Sequence, residues 1–240
     1  DAFAASAVRF DTAWSASNFT LGGLAAILTG RFPSSTGVPG WAPALPAGVP
    51  TLAEVLGVYG YGSGGFTTEG PSGFQAGFGL TRGFGTVVVA PAPAGTPEGR
   101  HHSGGTPGAS AADAARWIAA AGGGPRLTLF HSRTAHFPFV VTDDPDPVRH
   151  LLFASDTTRP PPAQKPVTGL LPDPTQEAVR ALGAPGLAVW RQAYAEAVTR
   201  ADADVGVVLD AIAASGRADR TIVVVLADHG EGLDEHGELL

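Results

Sequence analysis

The stretch "RTIVVVLADHGEG", residues 220–232, decides the fold that we predict. Its central run is short, β-branched and continuously apolar, which is typical of a parallel strand buried on both faces. We therefore predict a strand over Arg220–Asp228. In a parallel α/β sheet, ligands bind outside the carboxyl ends of the strands, which is where Asp228, His229 and Gly230 fall. This stretch therefore predicts both a parallel sheet and the edge of that sheet where a ligand would bind.

Sequence patterns elsewhere in the chain predict further strands and helices, and therefore an α/β fold. Predicted strands cover Gly85–Ala90 and Arg126–Ser132, and predicted helices begin at Thr51 and Ser110 and run over Leu187–Ser215. Thr51 precedes Glu54 by three residues, which is the spacing of a capping box, and Ser110 is an expected N-cap. Proline- and glycine-rich stretches at 90–108 and 157–176 are predicted loops. We expect a mostly parallel central sheet with helices on both faces.

Composition narrows the function classes. The chain has 240 residues, 44% hydrophobic and 15% charged, which is enough for one globular domain over residues 1–240. A net charge of -7 without a basic cluster argues against nucleic-acid binding. The chain has no cysteine, which excludes disulfides and thiolate metal sites. No apolar run reaches the roughly 18 residues of a membrane span.

Two strand ends carry candidate chemistry. Asp228 and His229 offer a carboxylate and an imidazole, both suitable ligands for a divalent cation. The alternative is a capping aspartate beside an incidental histidine. In "HSRTAHFPF", His131, Arg133 and His136 follow the other strand and could hold an anionic oxygen or protonate a leaving group. The alternative there is a pair of packed or exposed histidines without function.

A third candidate lies in "SNFTLGGLAAILTGRFPSSTGV", residues 17–38. Thr20 directly precedes a helix that we predict over Leu21–Leu28. A hydroxyl at a helix start is usually an N-cap. The same position favours a bound sulfate or phosphate group, because backbone amides and the helix dipole point at it. A nucleophile at Thr20 would be well placed for attack on such a group.

In this order, the three stretches resemble the sulfatase-like hydrolases of the alkaline phosphatase superfamily. Residues 8–38, which contain "ILTGR", resemble the nucleophile segment of that family, and residues 50–70 resemble its next helix and strand. The stretch "LTRGFGTVV" resembles the following Arg-Gly-Phe segment, and residues 127–139 the strand that ends in a His-x-Pro-aromatic motif. Residues 194–237 are the most specific piece, with a helix, a strand, Asp-His-Gly-Glu and Glu-His-Gly.

The resemblance implies roles for individual residues. It places Thr20 as nucleophile, Asp228 and His229 as metal ligands, His136 at the substrate or its leaving group, Arg31 at the close of the nucleophile motif, and His236 near metal or substrate. His236 is equally well explained as a solvated loop residue. The implied cofactor is a divalent cation, for which calcium, magnesium, manganese and zinc all stay open. The implied substrate is a small-molecule, saccharide or lipid ester, and the implied location is periplasmic, extracellular or membrane-anchored.

The chain departs from the family pattern after the nucleophile. Family sulfatases have cysteine or serine there, followed two, three and four positions on by Pro, Ser and Arg. Here Thr20 is followed at those positions by Gly22, Gly23 and Leu24. Without cysteine we expect no formylglycine. Threonine is the nucleophile of related phosphodiesterases and phosphate-group transferases.

The resulting hypothesis is a metal-dependent hydrolase of sulfate or phosphate esters. A non-catalytic relative that keeps the fold as a binding module is the alternative, and the glycines after Thr20 favour it. By resemblance, the family's first strand and carboxyl-terminal subdomain fall outside residues 1–240, so the fold is expected to be incomplete at both ends. The chain as given could therefore be inactive alone.

Overall fold

The structure, a computed structural model, describes residues 2–40, 43–68, 74–90, 109–120, 122–136, 179–237 and 239. It contains helices α1 (Ala2–Ser6), α2 (Thr20–Thr29), α3 (Pro33–Thr36), α4 (Leu52–Val58), α5 (Ala109–Ala119) and α6 (Ala184–Ala214). It also contains strands β1 (Gly62–Thr68), β2 (Thr86–Ala90) and β3 (Arg126–Phe130), with 3₁₀ turns at Ala76–Phe78 and Ala218–Arg220.

The described strands form one parallel sheet in the order β2-β1-β3. Gly64 of β1 pairs with Thr86 on one side and with Thr128 on the other. The prediction of a parallel α/β sheet is therefore confirmed, and β2 and β3 lie on stretches predicted as strands. The central strand β1 is rich in glycine, so its composition does not indicate a strand.

Helices and loops cover both faces of this sheet. A Cβ atom on Gly64 would lie 2.8 Å from the Trp117 side chain of α5, and α6 packs against α5 in turn. A Cβ on the next residue, Gly65, would collide with the Phe74 ring on the opposite face. Because successive residues of a strand point to opposite faces, aromatic rings press on both sides of β1. Phe74 belongs to the core around α2, which includes Leu21, Leu24 and Leu28.

The predicted capping box at α4 is present. The Thr51 hydroxyl accepts a hydrogen bond from the backbone N–H of Glu54 at 3.2 Å, and the Glu54 carboxylate accepts one from the Thr51 N–H at 2.9 Å. The Thr51 hydroxyl also donates to the carbonyl of Arg82 at 2.8 Å. Thr51 is fully buried, so these three bonds fix both the start of α4 and its contact with the loop before β2.

We expect Thr51→Ala to lower the free energy of unfolding by about 1 kcal/mol, since this is the usual cost of removing a helix cap. The measurement is denaturant unfolding followed by circular dichroism. Thr199→Ala is the matched control, because the exposed Thr199 hydroxyl only bonds back to Ala195 within α6. Equal stability of the two variants would show that the cap contributes nothing.

The predicted strand over Arg220–Asp228 is wrong for the described structure. Ala218–Arg220 forms a 3₁₀ turn, and residues 221–227 pair with no described strand. Ile222 is 92% exposed and Val224 71% exposed, whereas the prediction requires both to be buried. Composition favours an extended backbone here, but a strand also needs a hydrogen-bonded neighbour, and none of the described residues supplies one.

Three helix predictions need smaller adjustments. Helix α2 begins at Thr20 and ends at Thr29, one residue beyond the predicted range at each end. Helix α5 begins at Ala109, so Ser110 lies within its first turn and is not the N-cap. The long helix is confirmed as α6, which begins three residues before the predicted range Leu187–Ser215 and ends one residue before the end of that range. The predicted loop at 157–176 lies outside the described residues, as does the predicted loop at 90–108 apart from Ala90, which is the last residue of β2.

None of the described helices has the length and hydropathy that a bilayer-spanning helix requires.

Candidate functional site

Thr20 is the first residue of α2, but its hydroxyl does not cap the helix. The N-cap position is Phe19, whose side chain makes no capping bond. The Thr20 side chain is buried, and its Oγ1 lies 3.1 Å from Nε2 of His229, 209 positions further along the chain. The fold therefore brings the predicted nucleophile into contact with a predicted metal ligand.

The contact made by the other ring nitrogen of His229 shows which of its two nitrogens carries the proton. Nδ1 lies 2.7 Å from the carbonyl oxygen of Gly230. A carbonyl can only accept, so Nδ1 carries the proton and donates it. In the neutral imidazole Nε2 is then the acceptor of the Thr20 hydroxyl. The bond to Gly230 thus fixes the tautomer in which Nε2 presents a lone pair to the site.

Asp228 sits between two histidines. Its Oδ2 lies 3.7 Å from Nε2 of His229 and 3.8 Å from Nε2 of His131. Both separations are too long for hydrogen bonds, and Oδ2 is buried with no hydrogen-bond partner among the described residues. A buried carboxylate oxygen without a donor is costly unless positive charge compensates it. The buried Arg133 guanidinium interacts electrostatically with Asp228 and supplies part of that charge, while Oδ2 itself makes no hydrogen bond with the described residues.

Burial lowers the pKa of His131 to about 4, against the opposing effect of the Asp228 carboxylate. The ring is therefore neutral near pH 7 and can offer a lone pair. Burial also lowers the pKa of Arg133, again with Asp228 acting in the opposite direction.

These donors fit a divalent cation by their chemistry. A carboxylate oxygen and neutral imidazole nitrogens are common ligands of such ions. Within the described residues, no group of three or more histidine, aspartate or glutamate side chains is placed to hold a metal ion. The unpartnered Asp228 oxygen is thus the structural observation that favours a cation, and Asp228 and His229 are the residues that would hold it.

Two glycines of α2 allow this arrangement. A Cβ on Gly23 would overlap the carbonyl oxygen of Asp228, and a Cβ on Gly22 would lie 2.5 Å from Oγ of Ser17. The Ser15 hydroxyl also donates to the same Asp228 carbonyl. Close packing against Asp228 and Ser17 therefore gives a structural reason for the glycines after Thr20. A Gly-Gly pair inside an apolar helical pattern is the signal that predicts such an approach.

Of the remaining predicted site residues, His136 lies near Thr20 and His229, whereas Arg31 and His236 do not. The His136 ring lies edge-on to that of His229, with centroids 6.2 Å apart, so His136 faces the same site. The structure does not bring Arg31 there, since it is exposed beyond the carboxyl end of α2, roughly 15 Å of helix from Thr20. His236 is also exposed and lies beyond the residues that line the neighbouring cleft.

That cleft has a volume of about 1180 Å³. Thr20, Asp228 and His229 lie on its wall together with His131 and His136. One side is formed by β3 and the other by the extended segment that follows α6, and apolar residues of α2, α4 and α6 complete it. The candidate site therefore lies on the wall of a largely apolar cleft.

Comparisons with known proteins concern the family and the fold of this chain. The sulfatase family model matches residues 1–240. Among solved structures, the chain is similar to BT1596, a 2-O GAG sulfatase, with a TM-score of 0.64 and 19% identity. The match covers 96% of this chain and 52% of that one, so the chain spans about half the length of the matched structure. No curated protein matches the sequence.

Proposed function

Because the chain belongs to the sulfatase family, we propose that it is a metal-dependent hydrolase of sulfate or phosphate esters with Thr20 as the nucleophile. The observation that carries this proposal is the 3.1 Å contact between Thr20 Oγ1 and His229 Nε2, beside the unpartnered Asp228 oxygen. A hydroxyl buried at a helix start, next to two ligands suited to a cation, is the arrangement that ester cleavage by a weak nucleophile needs.

Asp228 and His229 would hold the cation. When bound, a divalent cation would lower the pKa of the Thr20 hydroxyl and neutralise negative charge on the ester oxygens. The start of α2 adds backbone amides and a positive dipole end, which favour the same anionic group. Together these features stabilise charge where it develops on the equatorial oxygens of sulfur or phosphorus.

The bond changes follow from this placement. Thr20 Oγ1 forms a bond to sulfur or phosphorus as its proton leaves to solvent, and the bond to the alcohol oxygen breaks in line. The departing oxygen takes a proton, for which His136 is our candidate donor because it faces the same site. Water then hydrolyses the ester on Thr20 and releases sulfate or phosphate. Arg31 and His236 have no role in this scheme.

Substrate size and domain extent are also proposals. The proposed leaving group is a saccharide or lipid alcohol, and the neighbouring 2-O GAG sulfatase is consistent with the former. We take residues 1–240 as part of a single catalytic domain, since the family model matches all of them. Family membership also supports an exported or membrane-anchored location.

Cation dependence tests the proposal. We expect the full-length protein that contains this chain to hydrolyse 4-nitrophenyl sulfate or 4-nitrophenyl phosphate when a divalent cation is added, and to lose this activity in excess chelator. The physical reason is that Asp228 and His229 alone leave the charge on the ester oxygens uncompensated. Release of 4-nitrophenolate is followed with calcium, magnesium, manganese and zinc in turn.

The control is restoration of activity when the chelated protein is given the cation again. Turnover that persists at full rate in chelator would contradict the metal-dependent mechanism. If none of the cations supports hydrolysis of either ester, the catalytic proposal is wrong and the binding-module alternative is favoured.

A further inference from the structure

The segment that follows β3, residues 131–136, carries three side chains that line the cleft: His131, Arg133 and His136. The segment belongs to neither a strand nor a helix. Residues 133–136 form a turn, in which the backbone N–H of His136 donates to the Arg133 carbonyl at 3.0 Å. The direction in which the His136 ring enters the cleft therefore depends on how this turn is held.

A buried side-chain hydrogen bond ties the turn to α6. The Thr134 hydroxyl donates to Oδ2 of Asp204 at 2.8 Å, although the two residues are 70 positions apart in the chain. Both residues are buried, with 6% of Thr134 and 7% of Asp204 exposed. Thr134 is the second residue of the turn, so this bond fixes the turn to a separate element of the fold.

We propose that Thr134 and Asp204 are positioning residues for the proton donor of the reaction, because their bond orients the turn so that His136 faces the leaving group. This inference rests on the proposed function, in which His136 donates that proton. It goes further in giving two residues and helix α6 a part in the reaction that the proposed mechanism does not contain.

The properties of Asp204 indicate a specific use of its carboxylate. Aspartate is a poor helix former and its charge is costly to bury, yet Asp204 is buried within the 31-residue helix α6. Helix α6 is itself held in place, because it packs against α5 and its Trp190 is fully buried. A hydrogen bond to a charged acceptor is stronger than one between neutral groups, so α6 restrains the turn firmly.

The start of the segment is held independently of α6. The backbone N–H of His131 donates to the Phe66 carbonyl of β1 at 2.9 Å, which continues the pairing of β3 with that strand. The His136 ring lies at the other end of the segment, edge-on to the His229 ring. Loss of the bond to α6 should therefore release the end that carries His136 and leave the start in place.

The test compares two esters that differ in their need for a proton donor. Phenol, with a pKa near 10, is a poor leaving group without a proton, whereas 4-nitrophenol is more acidic and leaves as the anion. In the full-length protein that contains this chain, kcat/KM is measured for the phenyl and 4-nitrophenyl esters of sulfate and of phosphate. We expect Thr134→Val to lower the ratio of phenyl to 4-nitrophenyl kcat/KM about 10–100-fold, since a displaced acid loses much of its contribution.

Two control variants show whether the hydroxyl at residue 134 is responsible. Thr134→Ser keeps the donor and should restore the wild-type ratio. Thr199→Val removes an exposed hydroxyl elsewhere on α6, where it bonds to the Ala195 carbonyl, and should leave the ratio unchanged.

A double variant guards against misfolding, because Thr134→Val leaves the buried Asp204 carboxylate without this donor. Thr134→Val combined with Asp204→Leu removes both partners, leaves neither unsatisfied and should show the same fall in the ratio. An unchanged ratio in the folded variants, or an equal loss on both esters, would overturn the inference and leave the proposed function standing. Misfolding of both variants would show that the bond serves stability, and would overturn it as well. Failure of the wild type to hydrolyse any of the esters would overturn both proposals.

Discussion

Replacing Thr20 with alanine is expected to lower turnover on the order of 10³-fold or more, because the chain then has no nucleophile at the site. The buried hydroxyl makes its described side-chain hydrogen bond with His229, and alanine is a better helix former than threonine. The variant should therefore fold as the wild type does. The measurements are kcat for the better nitrophenyl ester and thermal unfolding.

Two further variants test whether the loss of turnover comes from the missing hydroxyl at residue 20. Thr20→Ser keeps a hydroxyl at the same atom and should retain measurable turnover. Thr29→Ala removes a hydroxyl at the other end of α2, where it bonds to the Ala25 carbonyl at 2.6 Å, and should leave kcat unchanged. Cation affinity is expected to survive in Thr20→Ala, because Asp228 and the histidines are untouched. Turnover within about tenfold of wild type, or 1.4 kcal/mol, would show that Thr20 is not the nucleophile.

The elements that could be predicted are those specified by neighbours in sequence. The capping box at Thr51 depends on residues three positions apart, and both of its bonds are present. Strand β3 and helix α6 each have a sequence pattern clear enough to predict the element. In each case the interaction that fixes the element lies within it or at its end.

The elements that could not be predicted depend on partners distant in the chain. Residues 221–227 have the composition of a buried strand, yet no described strand pairs with them. Strand β1 shows the reverse, because "GSGGFTT" has weak strand propensity but lies between β2 and β3, and only the family resemblance over residues 50–70 implies a strand there. Its glycines make room for aromatic rings on both faces, and that requirement is invisible until the rings are placed.

The residues of the candidate site also divide into those that could be predicted from the sequence and those that could not. The family resemblance, which follows the order of the motifs along the chain, predicts four site residues: Thr20, His136, Asp228 and His229. The structure brings these four to one cleft. It does not bring Arg31 there, because the helix that starts at the nucleophile carries that residue away from it. The sequence does not single out His131 from its neighbours, since only the fold places it opposite Asp228.

Gly23→Ala is expected to have the second-largest effect, because it would push α2 away from Asp228. The added methyl would overlap the Asp228 carbonyl oxygen and lie 3.2 Å from the Asp228 Cβ, and a backbone group cannot move aside as a flexible side chain can. We expect the free energy of unfolding to fall by about 1–3 kcal/mol, as in other overpacked cores. Turnover should fall about 100-fold, since a displacement near 1 Å is enough to misalign a nucleophile.

The matched control is Gly57→Ala on α4, where a Cβ has nothing within 4 Å. Alanine in that open helical position should leave stability unchanged or raise it by about 0.5–1 kcal/mol, with kcat unaffected. Denaturant unfolding and kcat are measured for both variants at a temperature where each is folded. A loss of turnover in fully folded Gly23→Ala separates misplacement of Thr20 from simple instability. If Gly23→Ala instead behaves like Gly57→Ala, α2 does not need to touch residue 228, and the close approach of Thr20 to the cation ligands has another cause.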